Sequence, residues 1–119
     1  MPQSFAPGDD LIFQLESGYG LLRVLAVEGE AAQTVWHLMA YEEFFLTVES
    51  AERALAQPGC LRVRKAHMAL TDRAFERTPA AFLSNRALTE QELEAYGEWL
   101  RSEDRVVSDR SALLMLGIR

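Results

Sequence analysis

The sequence predicts an α+β domain in which a bent antiparallel sheet comes first and most of the helices follow. Three apolar, β-rich runs separated by short turns fill residues 1–47, a pattern typical of a β-meander. Further along, Thr89 and Glu92 form a capping box between two leucines, which predicts the start of a helix. The length of 119 residues fits one domain, so we assign residues 1–119 to a single domain.

The first two strands are expected at residues 9–16 and 20–28, joined at the Gly-Tyr-Gly sequence of residues 18–20. Period-two alternation places apolar side chains on both faces of these strands, which predicts burial on both sides or strong curling. A third strand is expected at residues 33–41, where β-branched and aromatic residues are frequent. Such a meander is the usual beginning of an SH3-like barrel or a similarly bent sheet, and we expect three to five strands in all.

The remaining elements follow from helix formers, breakers and caps. A short helix is expected at residues 48–57, a fourth strand at 60–70, and helices at 89–102 and 108–116. Residues 71–87 are ambiguous, because Phe75, Phe82 and Leu83 need burial but Thr78-Pro79 interrupts any regular element. Strands placed before helices favour an arrangement in which the helices pack against one side or end of the sheet.

The composition is that of an ordinary soluble protein, with 49% hydrophobic and 25% charged residues and a net charge of −6. Cys60 is the single cysteine, which excludes an intrachain disulfide and favours a reducing compartment. The sequence has no run of about 20 apolar residues that could span a bilayer, and its first residues lack a signal-peptide pattern. We therefore expect a cytoplasmic protein without membrane association.

The residues that could carry catalysis or bind a metal are few. His37, His67 and Cys60 are the candidates, but no spacing such as C-x-x-C, H-x-x-H or H-E-x-x-H accompanies them. Along a strand, the separation of Cys60 and His67 would direct them to opposite faces, and Cys60 is expected to be a small buried hydrophobe. We expect no catalytic residue, metal or cofactor, and a small metal-binding protein or enzyme stays the third alternative.

Acidic residues dominate the first part of the chain, with nine acidic against two basic residues in residues 1–59. An acidic surface steers association with basic partners, so the sequence favours a non-catalytic protein-binding module. Glu42 and Glu43 lie between aromatic residues on an expected loop, which suits a partner contact. The candidate partner-binding residues, with two aromatic anchors among them, are Tyr19, Glu28, Glu30, Trp36, Glu42 and Glu43.

A basic segment carries the main alternative. Arg62, Arg64 and Lys65 lie in the expected fourth strand, with both arginines on one face, and could follow a phosphate backbone. The acidic excess of the whole chain opposes this, because nucleic-acid-binding domains usually carry a basic excess. We favour pairing of these residues with the chain's own acids, and a nucleic-acid-binding SH3-like domain stays the alternative.

Residues 7–25 and 87–99 together resemble a known family. Pro-Gly-Asp, Ile-Phe, Gly-Tyr-Gly and Arg-Val-Leu in the first segment, followed by Ala-Leu-Thr, Glu-Leu and Trp in the second, are similar to the pattern of the immunity protein 26 family of small bacterial proteins. The resemblance implies a bent β-sheet followed by a late helix. It also implies a cytoplasmic protein that neutralises a cognate toxin domain by binding it, with no chemistry of its own.

Overall fold

The computed structural model describes residues 4–29 and 33–117, and it confirms an α+β fold. Within these residues, five strands form one antiparallel sheet in the order β4-β3-β2-β1-β5, and the sheet is not closed into a barrel. The strands are β1 (Asp9–Leu15), β2 (Gly18–Glu28), β3 (Val35–Phe45), β4 (Val63–Thr71) and β5 (Ala80–Asn85). The helices are α1 (Val48–Leu55), α2 (Asp72–Glu76), α3 (Glu90–Arg101) and α4 (Ala112–Met115), with one turn of 3₁₀ helix at Pro58–Cys60.

Both faces of the sheet are buried, as the alternation of apolar residues predicts. The buried side chains of the first face and of the helices α2 and α4 that cover it include Leu11, Leu22, Val24, Leu38, Phe75 and Ala112. Those of the second face, which α1 and α3 cover, include Ile12, Leu21, Leu25, Met39, Ala51 and Leu55. The expectation that the helices pack against one side or end of the sheet is wrong, because each face carries an apolar row that needs cover.

The pairing of β2 with β3 contains two irregularities. The register of the two strands shifts between Gly20 and Leu22, and again between Val24 and Ala26. Because the second shift lies between them, Val24 and Val27 both pack on the first face although they are three residues apart. Such irregularities bend and twist a strand locally.

The first hairpin turns earlier than expected. Leu15 pairs with Gly18, so Glu16 and Ser17 make a two-residue turn and the Gly-Tyr-Gly sequence belongs to β2. Gly20 is required by close packing, since a Cβ atom on it would collide with the ring of Phe13 across the hairpin. The glycine therefore leaves room for the end of the Phe13 ring on the neighbouring strand.

Strand β3 continues to Phe45, whereas the sequence predicts its end at residue 41. Tyr19 of β2 pairs with Phe45, and this pairing extends the strand beyond its apolar run. Glu42 and Glu43 consequently lie within a strand, and the expectation that they lie on a loop is wrong.

Strand β4 begins at Val63, three residues later than expected. The turn Pro58–Cys60 precedes it, and the amide of Cys60 donates a hydrogen bond to the main-chain oxygen of Gln57 at 3.0 Å. Cys60 is exposed in this turn, so the expectation that it is a small buried hydrophobe is wrong. Helix α1 ends at Leu55, two residues before its expected end.

The segment that the sequence left ambiguous contains α2 and β5. Phe75 is buried as expected, whereas Phe82 is 54% exposed, so the expectation that Phe82 is buried is wrong. The side chain of Thr71 caps α2, and Pro79 lies in the connection between α2 and β5 rather than inside either of them. Helix α4 begins at Ala112, whereas the sequence predicts a start at residue 108. Ser108 instead pairs with β4, and Ser111 is the residue that caps the helix.

Strands β4 and β5 form the two edges of the sheet. A parallel bridge between Leu70 and Ser108 covers the second half of the outer side of β4. The first half of β4, residues 63–66, is exposed. On β5, the side chain of Phe82 is 54% exposed.

Candidate functional site: a groove beside helix α3

Helix α3 begins where the sequence predicts, at a capping box. The Thr89 hydroxyl accepts a hydrogen bond from the amide of Glu92 at 3.1 Å, and the Glu92 carboxylate accepts one from the amide of Thr89 at 2.9 Å. The helix ends at Arg101, one residue before its expected end. In the described part of the chain α3 is the longest helix, with 12 residues, and none of the helices there reaches the length and hydropathy that a bilayer span requires.

Helix α3 is held against the sheet without a single fully buried side chain. Leu93 and Tyr96 are partly buried against the second face, and Trp99 contacts the ring of His37. Leu100, which the periodicity places on the same side, is 37% exposed. The contacts of α3 are therefore made by a few partly buried side chains and by the polar groups at its first turn.

A buried arginine connects the first turn of α3 to the sheet. Arg23 of β2 has no exposed surface, and it donates from Nε to Glu92 at 2.5 Å and from Nη1 to Asp10 at 3.2 Å. Its remaining N–H groups donate to the main-chain oxygens of Gly8, Arg86 and Ala87. Burial opposes the ionisation of Glu92, but the hydrogen bonds from Arg23 and from the amide of Thr89 outweigh it and lower the pKa of Glu92.

The second buried carboxylate, Asp10, is held by Arg86. Arg86 donates to Asp10 from both Nε and Nη2, at 2.6 and 2.8 Å, in a two-pronged pair. Ser84 donates to the same carboxylate at 2.9 Å, and Arg86 also donates to the hydroxyl of Tyr41 at 3.3 Å. The hydrogen bonds that Arg86 donates to Asp10 raise the pKa of Arg86, so its charge is fixed and its donors are engaged.

An open groove of about 620 Å³ lies between α3 and the strands β3 and β4. The groove volume is within the range of about 300–1,000 Å³ that ligand sites have. The apolar floor, from β3, β4 and the segment before β4, consists of Met39, Tyr41, Leu61, Val63 and Ala66. The wall formed by α3 consists of Gln91, Glu92, Glu94, Ala95 and Glu98.

Two carboxylates on this wall give the groove its charge. Glu94 and Glu98 are exposed, lie one helical turn apart, and form no ion pair with any residue that the structure describes. Arg86 is the cation among the lining residues, and its donors are bound to Asp10. The groove therefore combines an apolar floor with a negatively charged wall.

Two histidines meet beneath the second half of α3. Nδ1 of His37 lies 2.8 Å from Nε2 of His67, and the two rings stack with their centres 5.1 Å apart. From α3, the rings of Tyr96 and Trp99 approach His37 with centre-to-centre distances of 4.5 and 4.6 Å. His37 has no exposed surface, so it forms the centre of this histidine cluster.

Glu28 completes the histidine cluster on the side of β2. The hydroxyl of Tyr96 donates to Oε1 of Glu28 at 2.5 Å. Nε2 of His37 lies 3.1 Å from the same oxygen, within ion-pair distance but without the geometry of a hydrogen bond. Glu28 thus links β3 to α3 through one shared carboxylate oxygen.

The two histidines of the cluster are neutral at neutral pH. Burial lowers the pKa of His37, and Glu28 only partly offsets this effect. Burial, together with the nearby His37, lowers the pKa of His67 to about 4. Burial and the bond to Glu28 raise the pKa of Tyr96 to about 12. Neutral rings can pack closely together, so the cluster serves as an aromatic contact for α3.

The structure brings together two of the three residues considered for metal binding or catalysis. His37 and His67 are in contact, whereas Cys60 is exposed in the 3₁₀ turn. Among residues 4–29 and 33–117, no group of three or more His, Cys, Asp or Glu side chains is placed to hold a metal ion. Neither histidine lines the groove.

The predicted partner-binding residues are dispersed over the molecule. Trp36 is 4% exposed and packs against Phe75 in the first face, with the ring centres 4.7 Å apart. The sequence left open whether this candidate anchor lies in the core or on the surface, and in the structure β3 directs the indole into the core. Tyr19 is half-buried against the second face, and Glu28 belongs to the histidine cluster. Glu30 lies outside the described residues.

Glu42 and Glu43 both pair with Arg62, at 3.8 and 3.1 Å. Burial opposes ionisation of Glu43, but hydrogen bonds from the main chain and side chain of Arg62 outweigh it and lower the pKa of Glu43. Arg64 donates to the main-chain oxygen of the C-cap residue of α4 at 2.7 Å, and Lys65 is exposed. Arg62 thus pairs with Glu42 and Glu43, acids of the chain itself, as the sequence favoured. It lies before β4 and so does not share a strand face with Arg64.

Sequence reasoning missed the residues that line the groove. Glu94 and Glu98 could have been identified from their spacing of four residues, which places them on one side of the capped helix, next to its apolar side. Arg23 and His37 carry a weaker signal, because each is a polar residue inside an otherwise apolar strand. Such residues are buried only when partners reach them from distant parts of the chain.

No family model, curated protein or solved structure matches this chain.

Proposed function

We propose that this protein is a non-catalytic protein-binding module that acts in the cytoplasm and holds its partner in the groove beside α3. The observation that carries this proposal is the open groove of about 620 Å³ with an apolar floor and carboxylates on its wall. Protein-binding surfaces combine an apolar centre with a polar rim in the same way. The two histidines are packed beneath α3 and do not open into the groove, which favours binding over chemistry.

In this proposal the partner is a bacterial toxin domain, which the resemblance of residues 7–25 and 87–99 to the immunity protein 26 family implies. An acidic groove suits a toxin that acts on nucleic acid, because the active site of such a toxin is basic. The sheet is assigned an SH3-like arrangement. The return of β5 to pair with β1 after the short helix α2 supports this assignment.

Photocrosslinking in the cell that produces the protein tests the proposal. A benzoylphenylalanine in place of Gln91, which is exposed on the groove wall, should capture one partner protein. The same group in place of Gln14, which is exposed on β1 away from the groove, is the control and should not capture it. The captured protein is identified, purified, and titrated into the wild-type protein by calorimetry.

A one-to-one complex that Ala66→Trp weakens by about tenfold or more would support binding in the groove, because the indole fills the space above the floor. Equal capture from both positions, or a purified protein that does not bind, would overturn the proposed function. The sequence of the captured protein shows whether it is a toxin domain.

A further inference from the structure

We propose that the partner enters the groove as a basic amphipathic segment, which lays apolar side chains on the floor and sets two cationic groups against Glu94 and Glu98. This inference rests on the proposed function and states the chemistry of its partner. It follows from three features of the groove: unpaired carboxylates, an apolar floor, and the lack of a free cation among its described lining residues.

The carboxylates of Glu94 and Glu98 are the first feature. They are one helical turn apart, so they lie about 6 Å apart along the helix axis. Like charges at this spacing disfavour a helix, and no described cation lies within ion-pair distance of either carboxylate. Glu92 lines the same wall, but Arg23 already holds it. The wall therefore has two carboxylates that can pair with a cation of the partner, Glu94 and Glu98. A third, Glu92, is already bound to Arg23.

The floor is the second feature, and it requires apolar side chains from the same partner. Its five residues are apolar or aromatic, and Val63 among them is 49% exposed. A free lysine or arginine would leave this surface in contact with water. A segment that carries apolar groups on one side and cations on the other covers both the floor and the wall.

The cations near the groove are the third feature. Arg86 lines the groove, and its Nε and Nη2 both donate to Asp10. Arg62, which directly precedes β4, pairs with Glu43. An acidic or phosphate-bearing partner would meet these two carboxylates here, and the cation among the described lining residues, Arg86, is already bound to Asp10. A basic segment is therefore favoured over an acidic peptide or a nucleic acid.

The test uses two synthetic peptides of about 14 residues that place leucine on one helical side and lysine on the other, or glutamate instead of lysine. They are titrated into the full-length, isotope-labelled protein and followed by NMR. The lysine peptide should shift the amide signals of Ala66, Gln91 and Ala95, and its affinity should fall as the salt is raised from about 50 mM to about 300 mM. The glutamate peptide should cause no shift at these residues.

The variant Glu94→Gln/Glu98→Gln should bind the lysine peptide about tenfold more weakly than the wild type. The variant Glu16→Gln/Glu76→Gln removes the same charge from exposed sites at the first hairpin and on α2, which covers the other face of the sheet. Its affinity for the lysine peptide should stay within about twofold of that of the wild type, because salt largely screens exposed charges that lie far from the bound peptide.

Equal loss in both variants, or shifts spread over the whole surface, would overturn the inference, because the attraction would then be unspecific. Groove shifts caused by the glutamate peptide as strongly as by the lysine peptide would also overturn it, while the proposed protein-binding function would stand. Failure of the crosslinking experiment overturns the proposed function itself, so the two failures are distinguishable.

Discussion

Arg23 and Glu92 join the centre of the sheet to the first turn of α3 through two hydrogen bonds, of 2.5 Å from Nε and 3.3 Å from Nη2. Because α3 has no fully buried side chain, this pair is a principal attachment of the groove wall. The same guanidinium holds the buried Asp10, so one side chain fixes β1, β2 and α3 relative to one another. The shape of the groove thus depends on a residue that does not line it.

Replacement of this arginine should destabilise the protein strongly. Arg23→Met leaves Asp10 and Glu92 without their common partner, and we expect the free energy of unfolding to fall by about 3–5 kcal/mol. Arg23→Lys keeps the charge but has three donors in place of five, so its loss should be smaller. Urea unfolding followed by circular dichroism measures both.

Arg62→Met is the matched control for this prediction, since the side chain of Arg62 is 74% exposed in its pair with Glu43. Its unfolding midpoint should stay close to that of the wild type. Equal losses for Arg62→Met and Arg23→Met would contradict the structural role assigned to Arg23.

Acidification should destabilise the protein before its carboxylates titrate. The pKa of His67 is lowered to about 4 and the pKa of His37 is also lowered, whereas both are near 6.5 in the unfolded chain. Below pH 6.5 the unfolded chain binds protons that the folded chain does not bind, so stability is full above this pH and decreases towards pH 4. One histidine contributes at most about 1.4 kcal/mol per pH unit. Urea unfolding at about pH 7.5 and about pH 5 measures the loss.

The variant His67→Gln should lose less stability over the same pH interval, because one of the two titrating rings is gone. Glu16→Gln, at an exposed turn, should lose as much as the wild type. If His67→Gln and the wild type had the same pH dependence, the histidine cluster would not be the source of the acid sensitivity.

Tyr96 should ionise about two pH units later than an ordinary tyrosine, since its pKa is raised to about 12. Carbon-13 labelling of the three tyrosine rings allows each ionisation to be followed by NMR. In Glu28→Gln the pKa of Tyr96 should move towards 10, because the neutral amide no longer opposes a phenolate. An unchanged titration of Tyr96 in this variant would contradict the bond between the two residues.

Gly20→Ala should destabilise the first hairpin, because the new methyl group meets the ring of Phe13. Overpacking of this kind costs about 1–3 kcal/mol. Gly59→Ala is the matched control, since no atom lies within 4 Å of the added methyl group, and its stability should change by less than about 0.5 kcal/mol. Thermal unfolding of the two variants compares them directly, and similar midpoints would mean that Phe13 moves away freely.

The elements that the sequence predicted well are those with local signals. The capping box at Thr89 and Glu92 identified the start of α3, because the two residues satisfy each other's main-chain donors without any distant contact. Gly117 has a φ of 71° just after α4, as expected for a residue that ends a helix. The alternation in β1 and β2 likewise predicted that both faces of the sheet would be buried.

The features that the sequence could not predict depend on contacts between distant residues. His37 and His67 are 30 positions apart and meet only because β3 pairs with β4. Tryptophan is a residue type that often anchors a partner. The direction of the Trp36 side chain, however, is decided by the register of β3 within the sheet. The groove requires α3 to lie across β4, and no local pattern determines that placement.

The two edges of the sheet differ in how well they resist aggregation. Arg64 and Lys65 place like charges on the open half of β4, so two such edges repel each other, and Ser108 already covers the other half. On β5, an exposed Phe82 lies on an edge that no described strand covers. Edge-to-edge association at high concentration should therefore begin at β5, and Phe82→Lys would keep the protein monomeric in concentrated samples.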